Sequence, residues 1–174
     1  MSTSLESSLE RLNALAPAEA ESELRQCCGC SAWTERMTAE RPFLSPNHLL
    51  ETADRLWWEL GQDEWLEAFH SHPKIGEKKA AASISADAQK WSENEQSGIR
   101  DSAQETIDIL ARMNREYEEK FGYIFIICAT GKSSEEMLSS LRQRLSNGPD
   151  EELRIAAAEQ AKITSLRLNK LIAS

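Results

Sequence analysis

No apolar run in these 174 residues approaches the roughly 20 residues a helix needs to cross a bilayer, which excludes a chain threaded through a membrane. Positive charge is also short: 20 Lys and Arg stand against 29 Asp and Glu, giving a formal charge of −9 and a pI near 4.9. Such a surface repels phosphate backbones, and no basic stripe interleaved with aromatics offsets it, so nucleic acid is not an expected partner. Cysteine is too sparse and too unevenly placed for a disulfide framework, with Cys27, Cys28 and Cys30 clustered and Cys128 far away. Cys27 and Cys30 have C-x-x-C spacing, but zinc would want a second pair and a thioredoxin-like motif a preceding strand. Unpaired cysteine is among the most buried residue types, so the four are read as core. The start, Met1 to Glu6, lacks the segments of a secretion signal and the end is not the peroxisomal tripeptide, so a cytoplasmic location is expected. Thr130-Gly131-Lys132-Ser133 resembles the tail of a phosphate loop, but the upstream glycine lies at the wrong distance for nucleotide binding.

What is present is ordinary globular material, 40% hydrophobic and 28% charged, long enough for one domain with a real core. Apolar residues recur at three- and four-residue steps through most of the chain. The spacing predicts helices over 5–15, 18–28, 32–39, 46–60, 62–69, 86–98, 99–121, 135–145 and 150–171. Pro17, Gly29, Pro42, Gly61, Gly98, Gly122 and Gly148-Pro149 act as punctuation. The fold class is therefore all-α, a single-domain helical bundle of about eight to nine helices. One stretch departs from this, Tyr123-Ile124-Phe125-Ile126-Ile127-Cys128-Ala129, which is β-branched and aromatic and forms an extended segment near 123–129. A lone strand has no ladder partner, so it is either buried or leaves backbone groups to bind something else.

Two of the chain's three histidines sit in His70-Ser71-His72-Pro73-Lys74-Ile75-Gly76, after the segment Trp65 to Phe69. Pro73 disfavours helix at the residue before it, so His72 is presented at a stiff corner as a candidate proton donor or acceptor. The plainer reading is a surface residue at a helix end. Ser92, Glu95 and Gln96 fall on one helical face and group a hydroxyl, a carboxyl and an amide. On their own they read more simply as a solvated polar helix. The run 77–85 reads as a loop able to cover a site, and isolated His48 as a surface or capping residue. His70 and His72 with Glu67 or Glu95 would form a metal site for a hydrolase, although the H-x-H spacing suits a strand better than a helix end. A helical interaction module without catalysis is the third alternative.

Several stretches together, in order and spacing, resemble one family. They are Cys27-Cys28-Gly29-Cys30-Ser31-Ala32-Trp33, Arg41-Pro42-Phe43, Ala68-Phe69 with His72-Pro73-Lys74-Ile75-Gly76, Ser92-x-x-Glu95-Gln96, Phe121 to Ala129, and Lys162 to Leu168. The family is 2-oxo-4-hydroxy-4-carboxy-5-ureidoimidazoline (OHCU) decarboxylase, the last enzyme of the route from urate to (S)-allantoin, and the resemblance runs from about Cys27 to Leu171. It implies an all-helical homodimer acting on a small ureidoimidazoline in purine catabolism, without metal or organic cofactor. By the same resemblance His72 matches the catalytic histidine, and Glu95 is the candidate catalytic group that would orient or set the charge of its imidazole. Pro73 matches a substrate-contacting neighbour, Ser92, Glu93, Asn94, Glu95 and Gln96 a polar helix, and Phe125, Ile126, Ile127, Cys128 and Ala129 the main-chain substrate contacts. This chain has Ile124 and Thr130 where the family pattern often has proline and arginine, which leaves Lys132 as the candidate replacement cation.

Overall fold

The structure, a computed structural model, describes the backbone of residues 4–73 and 93–174 and the side chains of 4–73 and 104–174. Eight helices are described: α1 Ser4–Ala14, α2 Pro17–Cys27, α3 Ser31–Ala39, α4 Pro46–Glu59, α5 Gln62–His70, α6 Glu93–Phe121, α7 Ser134–Leu145 and α8 Pro149–Ala173. No strand occurs among the described residues. Two compact units make up the chain, Met1–Ser71 with Ile155–Ser174, and His72–Arg154.

In the first unit the helix boundaries follow local chemistry. Pro17 opens α2, where its missing N–H costs nothing. Ser45 Oγ accepts the His48 N–H at 3.1 Å to cap α4, and Glu64 reaches back to the Gly61 N–H at 3.0 Å at the start of α5. The Arg41-Pro42-Phe43 motif closes the end of α1. Arg41 Nη1 donates to the carbonyls of Leu12 (2.9 Å) and Leu15 (2.8 Å), and the Asn13 amide pairs with the main chain of Phe43 in both directions. These are carbonyls that a helix C-terminus leaves unsatisfied. The interior is built from Leu12, Leu24, Cys28, Trp33, Met37, Leu49, Trp57 and Phe69, with Ala157, Leu168 and Ile172 of α8. Three indoles send their N–H to main-chain carbonyls: Trp33 to Ala53, Trp57 to Ala157, Trp65 to Trp57. A buried indole without such a partner would cost about 1–3 kcal/mol. Leu166, on the apolar series read into the last helix, is 37% exposed.

The second unit contains α6, α7 and the start of α8. α6 runs unbroken through Gly98, whereas the glycine was expected to separate two helices. An interior glycine costs a helix only about 1 kcal/mol, which the rest of a 29-residue helix absorbs. The expected loop 77–85 and residues 86–92 of the expected upstream helix lie outside the described residues. After Gly122 the chain leaves helix for 124–129, then turns where the Lys132 N–H donates to the Ala129 carbonyl at 3.0 Å. Gly131 sits in that turn at φ +76°, a left-handed conformation that a residue with a Cβ adopts only with strain. Ser133 and Glu136 form a reciprocal capping box that starts α7.

Candidate functional site

Of the residues expected to form the site, those described, His72, Pro73, 93–96 and 125–129, fall within the unit His72–Arg154. α5 delivers the corner. It ends at His70, Ser71 Oγ turns back onto the Ala68 carbonyl at 2.6 Å, and His72 follows, half-buried, with Pro73 exposed beside it. Ser71 is fixed from a second direction, because a Cβ at Gly29 would overlap the Cβ and Oγ of Ser71. Glu67, one turn earlier, accepts from both Ser31 Oγ (2.6 Å) and Ser31 N–H (3.1 Å), which ties α5 to the start of α3. The Cys-Cys-Gly-Cys stretch thus has a use beyond packing: its glycine makes room for the residue that precedes the histidine. Glu67, weighed as a metal ligand with His70 and His72, faces Ser31, and His70 is exposed. Among the described residues no three His, Cys, Asp or Glu side chains cluster as metal ligands.

Of the polar group 92–96, Ser92 lies outside the described residues. Glu93, Asn94, Glu95 and Gln96 occupy the first turn of α6, and their side chains also lie outside the description. His48, read as a capping residue, accepts the Leu44 N–H through Nδ1 at 3.1 Å. All four cysteines are buried free thiols. Burial pushes the Cys27 thiol up to about 11 and the Cys28 thiol up to about 12, which leaves both protonated and unreactive near neutrality.

The run 125–129 is buried at Phe125, Ile126, Ile127 and Cys128 and exposed at Ala129. Its main chain is not bare. Arg144 Nη1 donates to the Ile126 carbonyl at 2.7 Å, and Lys132 Nζ to the Cys128 carbonyl at 2.9 Å. The two cations therefore face the segment through its carbonyls. Arg144 was not anticipated. Its Nε donates to Glu152 at 2.6 Å, and Glu152, with no exposed surface, also accepts from Tyr117 Oη (2.6 Å) and Asn147 Nδ2 (3.0 Å). The guanidinium lies 4.4 Å from the Phe125 ring centroid, within cation–π range. Tyr117 packs against Phe121, Tyr123 and Phe125, and burial together with its donated bond to Glu152 raises the phenol well above its ordinary pKa. The signal available in the sequence was charge on an apolar face: Arg144 follows Leu138 and Leu141 at three-residue steps, and Glu152 lies one turn before Ala156.

Comparison with known proteins is decisive on kinship. The family model described as OHCU decarboxylase matches residues 13–169. The chain is 41% identical over 153 residues to the uric acid degradation bifunctional protein TTL of Arabidopsis thaliana, covering 87% of this chain and 47% of that protein. It is 28% identical over 148 residues to the mouse (Mus musculus) 2-oxo-4-hydroxy-4-carboxy-5-ureidoimidazoline decarboxylase, covering 82% of this chain and 80% of that one. It spans only 32% of the uric acid degradation bifunctional protein of Bacillus sp. (strain TB-90), so these two bifunctional relatives are much longer than the matched part. Among solved structures, an OHCU decarboxylase crystallised in the presence of (S)-allantoin superposes with a TM-score of 0.71 at 38% identity, covering 87% of this chain and 98% of that one. An (S)-allantoin synthase shares the fold, with a TM-score of 0.67 at 19% identity over 94% of this chain and 53% of that one. With nine-tenths of its length inside the matched region, this chain belongs to the OHCU decarboxylase family.

Proposed function

We propose that the chain decarboxylates 2-oxo-4-hydroxy-4-carboxy-5-ureidoimidazoline to (S)-allantoin in urate catabolism, as a single OHCU decarboxylase-like domain that works as a cytoplasmic homodimer without cofactor. The observation that carries this is the match over residues 13–169, together with a 38% identical relative crystallised with (S)-allantoin. The chemistry asks little of a protein beyond orientation and a proton. The C–C bond to the carboxylate breaks, carbon dioxide leaves, and the electron pair passes into the adjacent ring C=N. A proton must then reach one face of the enol-like intermediate, and the face chosen sets the S configuration. His72 is the proton-transfer group. Glu95 orients that imidazole or holds the substrate hydroxyl, Ser92 and Gln96 hydrogen-bond the heterocycle, Glu93 and Asn94 belong to the same substrate-binding turn, and Pro73 flanks it. The peptide groups of 125–129 bind the ureido and ring amides of a flat polar molecule.

Supplying the unstable substrate in place with upstream enzymes and following circular dichroism tests the reading. Optically pure (S)-allantoin should appear faster than the spontaneous racemic decay. A rate and a racemic product equal to the enzyme-free control would end it.

A further inference from the structure

The run 124–129 raises a problem of register: outside helix and without a ladder, nothing in secondary structure says which way its peptide groups face. The two donors that reach it answer this. Arg144 takes the Ile126 carbonyl and Lys132 the Cys128 carbonyl, two residues apart. That is the interval at which an extended chain turns its carbonyls to the same side. On an extended backbone the carbonyls of Phe125 and Ile127, one residue out of step with these two, turn to the other side.

Arg144 is built for this task more than for stability. A buried ion pair is often matched or bettered by apolar residues of similar volume, since both charges must be removed from water. Here the pair is 7% and 0% exposed, and a further guanidinium nitrogen, Nη2, is buried with no hydrogen-bond partner. The unsatisfied donor is a cost to the fold. What that arrangement secures is direction. Glu152 holds Nε while Tyr117 and Asn147 hold Glu152, so the guanidinium plane cannot swing and Nη1 stays on the Ile126 carbonyl. Arginine does this where lysine does not, because its donors are separate nitrogens in a rigid fork, whereas lysine has a single nitrogen on a freely turning stem.

We infer that Arg144, assisted by Lys132, is a positioning residue for the substrate: it fixes the carbonyls of Ile126 and Cys128 on one edge and thereby presents the peptide groups of Phe125 and Ile127 to the ligand on the other. This rests on the reading that 125–129 holds the substrate. Arg144→Lys keeps the charge but reaches Glu152 or Ile126, not both. It should raise KM and the (S)-allantoin dissociation constant about tenfold, the scale of one charge-assisted hydrogen bond, with kcat within about threefold and the pH profile of kcat unmoved. Lys132→Met, on an exposed turn, should give the same pattern at about threefold with an unchanged melting temperature. A folded Arg144→Lys variant with wild-type KM and product affinity overturns the inference, as does one that loses kcat while KM stays constant, the signature of a merely structural loss of active protein. If Arg144→Lys does not fold, Lys132→Met decides alone, and wild-type KM and affinity in it overturn the inference. Failure of the unmutated protein to bind (S)-allantoin or to make it in optically pure form instead removes the underlying functional reading, whatever the variants do.

Discussion

The two units solve the same problem, how to bury polar backbone, in opposite ways. In the first, helices satisfy almost all of it themselves and Arg41 takes carbonyls at a helix end, around an interior of leucine, tryptophan and sulfur. In the second, the chain departs from helix at 124–129, and the carbonyls exposed by that departure are met by charge: a buried Arg144–Glu152 pair braced by Tyr117 and Asn147, and Lys132 from the turn beyond. Irregular backbone in an interior demands donors from side chains, and side chains that must hold a direction are held in networks. The unit that carries the irregular segment also contains the described residues of the candidate site.

The comparison is tested most severely at Glu152. Glu152→Ala leaves Arg144 charged and buried without its partner and should cost about 3–5 kcal/mol in urea unfolding, and a loss under 1 kcal/mol would mean that the network is dispensable. Chemistry assigned to the unit that opens with His72 predicts that His72→Ala or His72→Gln lowers the stereospecific rate at least about a hundredfold with little change in stability; near wild-type turnover refutes the role. In the first unit, Gly29→Ala forces overlap with Ser71 and should cost about 1–3 kcal/mol by thermal unfolding. It should also slow turnover, because the displaced residue precedes His72. A variant with native stability and rate would show that the corner relaxes freely.

Buried sulfur gives the first unit a dependence on alkaline pH. With folded thiols raised to about 11 and 12, the unfolded chain ionises first, from about pH 9. Stability present in full below that pH therefore falls as pH climbs toward 11–12, by up to about 1.4 kcal/mol per pH unit for each thiol. Urea midpoints measured from pH 8.5 upward should decline, and Cys27→Ala should flatten the decline. The smallest effect belongs to the surface: Arg55, bridging Glu40 and Glu59, is solvent-exposed, and Arg55→Ala should leave the melting temperature unchanged within error.

Much of this organisation was legible in the residues. Helix periodicity, Ser45, Ser133, Pro17 and Gly122 place most boundaries within a residue or two, because capping and glycine chemistry are local. Gly98 misled because a local preference of about 1 kcal/mol is overridden along a 29-residue helix. The anomalous propensity of 123–129 correctly marked a break from helix, and the run is one of the stretches that together carried the family resemblance. What the sequence hid was the set of partners. Arg144 and Glu152 are eight residues apart on different helices, and Gly29 meets Ser71 across more than forty residues, so neither pairing leaves a periodic trace.

The sealed thiols have a practical consequence. Because Cys27 and Cys28 are held protonated in the interior and Cys30 and Cys128 are likewise buried, the native protein offers maleimide reagents almost no nucleophile of its own. One cysteine introduced on an exposed turn would then be the sole point of attachment for a fluorophore or spin probe, without first stripping the chain of its natural sulfur.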